Sequence, residues 1–201
     1  MKELDRAILL VDVQNDFCPR GKLAVPEGDG VVEPLNIMIE IAEKHGWLVI
    51  ASRDFHPNVT SHFIEHGGVW PEHCVGGTTG ADFHKNLIIC KDTLIVSKGM
   101  GEDENAYSAF DGKLDDGQAL EDVLNARGIK KLYVGGLATD YCVKASAIDA
   151  ASKGFKTFLL EDAIRAVNIN PMDGYNAIQD MFRAGVRPTN TQWEIYKADN
   201  S

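Results

Sequence analysis

The chain has 201 residues, 44% of them apolar and 25% charged, a balance that suits a globular protein with a substantial core. Thirty acidic against twenty basic side chains leave a net charge of −10 with no basic cluster, which argues against nucleic acid or an anionic membrane as a partner. No apolar run approaches the roughly 18–20 residues that cross a bilayer, and four dispersed cysteines (Cys18, Cys74, Cys90, Cys142) without a CxxC pair exclude a zinc ribbon.

In chain order, the N-terminal "MKELDRAILLVDVQ" carries acids and runs straight into a strand pattern, so it reads as no secretory signal, and a reducing cytoplasm is the expected home. "AILLVDV" (7–13) predicts a buried strand, and "VVEPLNIMIEIAEKHG" (31–46) a helix stopped by glycine. "WLVIAS" (47–52) is a second strand. Residues 54 to about 92 then lose periodicity, in a histidine-rich loop of a length usually reserved for function. "TLIVSK" (93–98) is a third strand, followed by a shorter loop over 99–112. A helix over 119–128 leads to the strand "KLYVGG" (131–136), a helix over 140–153, the run "FKTFLLED" (155–162) and a helix over 172–185. The tail carries a proline and polar residues and offers only a weak strand signal. Short apolar strands alternating with helices predict one domain over 1–201, a three-layer α/β/α fold on a mostly parallel, doubly wound sheet.

Ligands of such sheets bind outside the carboxyl ends of the strands. Asp12 ends the first strand, Asp54 follows the second, Lys98 ends the third, and Cys142 follows "LYVGG" in the first turn of a helix that Thr139 or Asp140 would cap. A helix N-terminus favours a thiolate, so Cys142 is a candidate nucleophile; an inert buried cysteine is the competing reading. Asp12, flanked by apolar residues, needs a partner, which Lys98 would supply, and no histidine joins this set. Asp12 is therefore the natural base of a Cys–Asp–Lys triad. In "RDFHPNVTSHFIEHGGVWPEHC", Asp54 and His56 share a side of extended backbone, and His73, with His62 as a further candidate, would close a site for zinc, iron or manganese. His45 and His66 precede glycines and read as helix C-terminal residues, and His84 as a surface residue.

The stretches "LLVDVQNDFCPRGKLAVPEGD", "ASRDFHP", "WPEHCVGGTTGADFH", "VSKG", "AYSAFDG" and "VGGLATDYCVKASAIDA" cover nearly the whole chain. Through them it resembles the nicotinamidase/pyrazinamidase branch of the isochorismatase-like cysteine hydrolases. The resemblance implies Cys142 as nucleophile, Asp12 as base and Lys98 as the charge-balancing residue. It implies one divalent metal ion, zinc ahead of iron or manganese, held by Asp54, His56 and His73 with His62 a more variable ligand. It implies a ring pocket of Phe17, Leu23, Trp70 and Tyr107, an oxyanion hole from the N–H groups of Ala138 and Cys142, and a cis Leu137–Ala138 peptide. The implied reaction is deamidation of nicotinamide to nicotinate and ammonia in NAD salvage, with pyrazinamide a second substrate. The alternatives are a metal-free cysteine amidohydrolase of the same superfamily acting on a carbamoyl or ureido compound, and a non-catalytic metal-binding or scaffolding domain. Cys18 and Tyr141 depart from the commoner pattern, and neither is expected to touch the chemistry. The partner is a small-molecule amide, and homo-oligomers are the base-rate expectation.

Overall fold

The computed structural model describes residues 4–104 and 106–200. Its sheet has seven strands: β1 (Arg6–Val11), β2 (Leu48–Asp54), β3 (Leu94–Lys98), β4 (Lys113–Leu114), β5 (Lys131–Leu137), β6 (Lys156–Arg165) and β7 (Arg187–Thr189). They lie in the order β4-β3-β2-β1-β5-β6-β7, all parallel except the short edge strand β4. The strand order reverses between β1 and β5, so the switch point of this doubly wound sheet falls between Asp12 and the turn that carries Cys142.

Alternate side chains of β1 feed two cores, as a strand covered on both faces requires. Ile8 and Leu10 pack with Leu35, Met38 and Ile39 of α1 (Val32–His45). Ala7, Leu9 and Val11 pack with α2 (Leu120–Ala126), α3 (Lys144–Ser152) and α4 (Asp173–Arg183) through Leu120, Leu124, Ala147 and Met181. The helix α1 ends where the sequence says, with His45 as its last residue and Gly46 at φ 74° closing the C-cap. The glycine pair "GG" leaving β5 has a steric cause. A Cβ on Gly136, whose φ is 128°, would lie 2.1 Å from the carbonyl oxygen of Val11, so only glycine lets β5 approach the end of β1 this closely.

The tail differs from its weak strand signal. It supplies the edge strand β7, where Pro188 is tolerated, and then a further helix α5 (Thr191–Asp199) that the sequence reading did not foresee. Asn190 caps it, its side chain accepting from Trp193 N at 2.8 Å, and α5 packs beside α1. The strand β6 also runs to Arg165, past the expected end at 162, because a register shift lets it keep pairing with β5 as far as Leu137↔Arg165. Between β2 and β3 the chain is irregular, as expected. Isolated bridges pin it: His56↔Val75, Phe63↔Trp70 and Gln14↔Phe83.

Candidate active site

Asp12, Asp54 and Lys98 meet because three neighbouring strands end together. Asp54 and Lys98 are register partners on β2 and β3, and Asp12 leaves β1 with φ 47°, a left-handed turn that aspartate adopts more readily than most residues. All three are buried, with Lys98 and Asp12 at 0% exposure. The Lys98 ammonium lies 2.9 Å from Asp12 Oδ2, forms a close ion pair with Asp54 Oδ1 and stands 3.5 Å from Cys142 Sγ. One cation thus touches two carboxylates and the thiol. Asp12, Asp54 and Cys142 present their ligand atoms within 4.8 Å of one another, the arrangement of a cation site, and the ammonium of Lys98 serves as that cation.

The electrostatics separate the two carboxyls. Burial raises Asp12, with Lys98 offsetting it only in part and Asp54 adding to it. Burial acts on Asp54 too, but the Lys98 charge, then His56, the Lys98 hydrogen bond and His73 hold its carboxyl below the usual range. Burial likewise opposes the charge on Lys98, yet Asp12 and Asp54 keep the ammonium well above its ordinary value. Two carboxyls pushed apart in this way suit different tasks, one a permanent anion and the other a proton carrier.

Cys142 corrects one expectation. It does not sit in the first turn of an ordinary α-helix but in a wider π turn, Thr139–Val143, that precedes α3, with Ala138 at the N-cap and no side-chain cap from Thr139 or Asp140. Burial pushes its thiol well above the ordinary value, with Lys98 countering only in part. The Leu137–Ala138 peptide ahead of this turn is cis, as the resemblance implies.

The histidines form a second cluster. His56, His62 and His73 bring one ring nitrogen each to within 4.8 Å of one another. His56 Nδ1 donates to the carbonyl of Gly99 at 2.9 Å, and His73 Nδ1 donates to that of Pro71 at 2.7 Å. Both bonds fix the tautomer that leaves Nε2 with a lone pair. Those Nε2 atoms lie 3.8 Å and 3.9 Å from Asp54 Oδ2, and His56 Nε2 is buried with no hydrogen-bond partner among the described residues. Burial presses His56 down to about 4, which keeps the ring neutral. An orphaned buried nitrogen, two carbonyl-fixed tautomers and an adjacent anionic carboxylate fit a divalent metal ion.

A pocket joins the two clusters. Phe17, Leu23, Trp70 and Tyr107 line it with Asp54, His62, His73, Ala138 and Cys142. Tyr141 lines it too, edge-on to Trp70 with ring centroids 5.0 Å apart. Trp70 Nε1 donates to Tyr107 Oη at 2.9 Å, tying the histidine loop to the loop after β3.

Several residues here escaped sequence reasoning. Ser52 Oγ donates to Asp12 Oδ1 at 2.7 Å. Gln14, inside the quoted "VDVQNDF", accepts from Asp54 N and donates to the carbonyls of Asp54 and Ala81, each at 2.8 Å. Asp16 Oδ2 accepts from Cys74 N at 2.8 Å, holding the residue after His73. Gly99 has φ 66°, and a Cβ there would meet His56 Cε1 at 2.5 Å. Buried polar side chains in "VDVQND" were the available signal, since each must find a partner.

The isochorismatase domain model matches residues 6–192. The chain belongs to the isochorismatase family. Among its relatives in this family, nicotinamidase of Escherichia coli strain K12 is 40% identical over 209 residues, covering 94% of this chain and 97% of that protein. Nicotinamidase/pyrazinamidase of Mycobacterium tuberculosis is 37% identical, covering 90% and 96%. The crystal structure of pyrazinamidase of Pyrococcus horikoshii in complex with zinc superposes with a TM-score of 0.86 at 39% identity, covering 92% of this chain and 99% of that one.

Proposed function

We propose that this chain is a metal-dependent cysteine amidohydrolase that deamidates nicotinamide to nicotinate and ammonia, and that it also accepts pyrazinamide. The observation that carries the reading is the shared pocket: Cys142, with Lys98 Nζ at 3.5 Å, faces the same aromatic-walled space as His62, His73 and Asp54. A flat heteroaromatic ring with a carboxamide suits both ends, the aromatic walls for the ring and the thiol for the carbonyl carbon. Nicotinamidases and pyrazinamidases among the relatives support the substrate class. The histidine cluster disfavours a metal-free carbamoyl or ureido hydrolase.

In this reading Asp12 Oδ2 takes the Cys142 proton as Sγ attacks the carboxamide carbon. The raised thiol calls for that transfer, and the raised carboxyl of Asp12 suits it to give the proton back. Ser52 occupies Oδ1, leaving Oδ2 beside Lys98 for this work. Lys98 stays charged and offsets the negative charge that shifts between Sγ and Asp12. The N–H groups of Ala138 and Cys142 receive the oxyanion; one such donor is typically worth about 2.7–4 kcal/mol. Asp12 then protonates the departing ammonia, and water hydrolyses the thioester with Asp12 again as base. Asp54, His56 and His73, with His62 as the fourth candidate, would hold the metal ion, zinc ahead of iron or manganese. When bound, the ion supplies Lewis-acid polarisation and anchorage for a nitrogen or a water at the ring's edge.

We read residues 1–201 as one such domain, cytoplasmic and acting in NAD salvage; no helix of the described residues is long and apolar enough to cross a membrane. The test is ammonia release from nicotinamide before and after chelation and metal restoration. Release that stops on chelation and returns with zinc, iron or manganese supports the reading. No release from metal-replete protein refutes it.

A further inference from the structure

The turn that presents Cys142 carries a carboxylate, Asp140, which the mechanism does not use. Its oxygens do not cap their own turn. They reach across to the segment that follows β6, where Oδ1 accepts from Val167 N at 2.9 Å and Oδ2 from Asn168 N at 2.8 Å. The sheet explains why those two amides need an acceptor. Pairing of β6 with β5 ends at Leu137↔Arg165, so beyond it the backbone has no ladder to bond to. Asp140 takes over where the ladder stops, with two charge-assisted bonds.

The segment so held is a wall of the pocket: Val167 lines it together with Leu137, Ala138, Tyr141 and Cys142. Asn168 continues the chain at φ 54°, and its Oδ1 accepts from Gly174 N at 2.8 Å in the first turn of α4. A Cβ on Gly174 would meet Ala166 Cβ at 2.6 Å, so this segment is packed tightly against the helix. The rigid link therefore runs from the nucleophile turn through Asp140 to Val167 and on to α4.

We propose that Asp140 is a positioning residue for the reaction. It fixes the distance between Cys142 and the Val167 wall, and so the depth at which an aromatic amide sits against the thiol. Both its oxygens are engaged by N–H groups, so it holds the wall and does not compete with Asp12 as base. The inference rests on the nicotinamidase reading for its substrate but not for its geometry.

The test compares wild type with D140A and D140N, using zinc-reconstituted protein. In D140A the KM for nicotinamide should rise about tenfold or more while kcat falls by less, since ring placement and not the chemical step is lost. D140N should fall between, because its amide keeps one acceptor oxygen but turns an N–H toward the other donor. Alkylation of Cys142 by iodoacetamide, which needs no ring placement, should proceed at the wild-type rate. Backbone amides of Val167 and Asn168 should exchange slowly in wild type and quickly in D140A. Asp162→Ala is the control: Asp162 accepts from Thr191 N at 3.0 Å at the start of α5, so its loss should lower Tm and leave KM unchanged. A wild-type KM in D140A, or slow exchange retained at Val167 and Asn168, overturns the proposal. Wild-type protein that releases no ammonia from nicotinamide refutes the proposed reaction instead, and the exchange at these two amides then decides whether Asp140 holds the wall.

Discussion

Two clusters of ligand-type side chains adjoin at Asp54, and they solve the same charge problem in opposite ways. In one, Asp12, Asp54 and Cys142 surround a cation that the chain itself supplies, Lys98. In the other, His56, His62 and His73 bring their nitrogens together on an irregular loop, the rings of His56 and His73 aimed by backbone carbonyls. The first cluster stands on three strand ends, where the sheet sets the geometry. The second depends on loop residues whose tautomers and angles are set one at a time. The strand-end cluster thus carries its own cation, while the loop cluster offers lone pairs that call for an ion from outside.

The sharpest way to separate the two is Cys142→Ala. Ammonia release should fall by at least about 10⁴-fold, while metal content measured by elemental analysis stays at the wild-type level. Lys98→Met attacks the internal cation. It leaves two buried carboxylates without their partner, so unfolding free energy from denaturant titration should drop by about 3–5 kcal/mol along with activity. His73→Ala acts on the other cluster. Bound metal should be lost and turnover should fall at least tenfold, yet alkylation of Cys142 should persist; loss of both together would show that the clusters are one unit. Gly99→Ala should push the His56 ring aside and weaken metal affinity about 10–100-fold, read by chelator competition.

The smallest effect belongs to Ser52→Ala. The Ser52 hydrogen bond lowers the Asp12 carboxyl, so removing it raises that group further. Activity needs the unprotonated base, so the acid limb of the kcat/KM profile should move to higher pH, with little change above it. An acid limb that stays in place would remove Asp12 from the role of base.

Much of this was legible along the chain. Asp12, Lys98 and Cys142 stand at or just past apolar runs whose strand period is plain, and parallel α/β folds collect such residues on one edge. "DFH" and the later His73 stand out in a loop too long to be mere connection. The helix α5 was missed because its polar, proline-preceded sequence has no strong apolar stripe. The wider π turn at Cys142 was missed because strand–helix alternation does not tell one helical winding from another.

Periodicity, glycine punctuation and motif spacing thus determined the sheet, its doubly wound class and which side chains lie at its carboxyl edge, since these depend on local backbone period. Only the tertiary structure decided which side chains meet. Ser52 joins Asp12 and Gln14 joins Asp54 across 40 residues of sequence, and Asp140 reaches Val167 across 27. Such partners are chosen by strand order and by where each ladder ends. A buried donor or acceptor announces only that it needs a partner; the fold alone determines which one it finds.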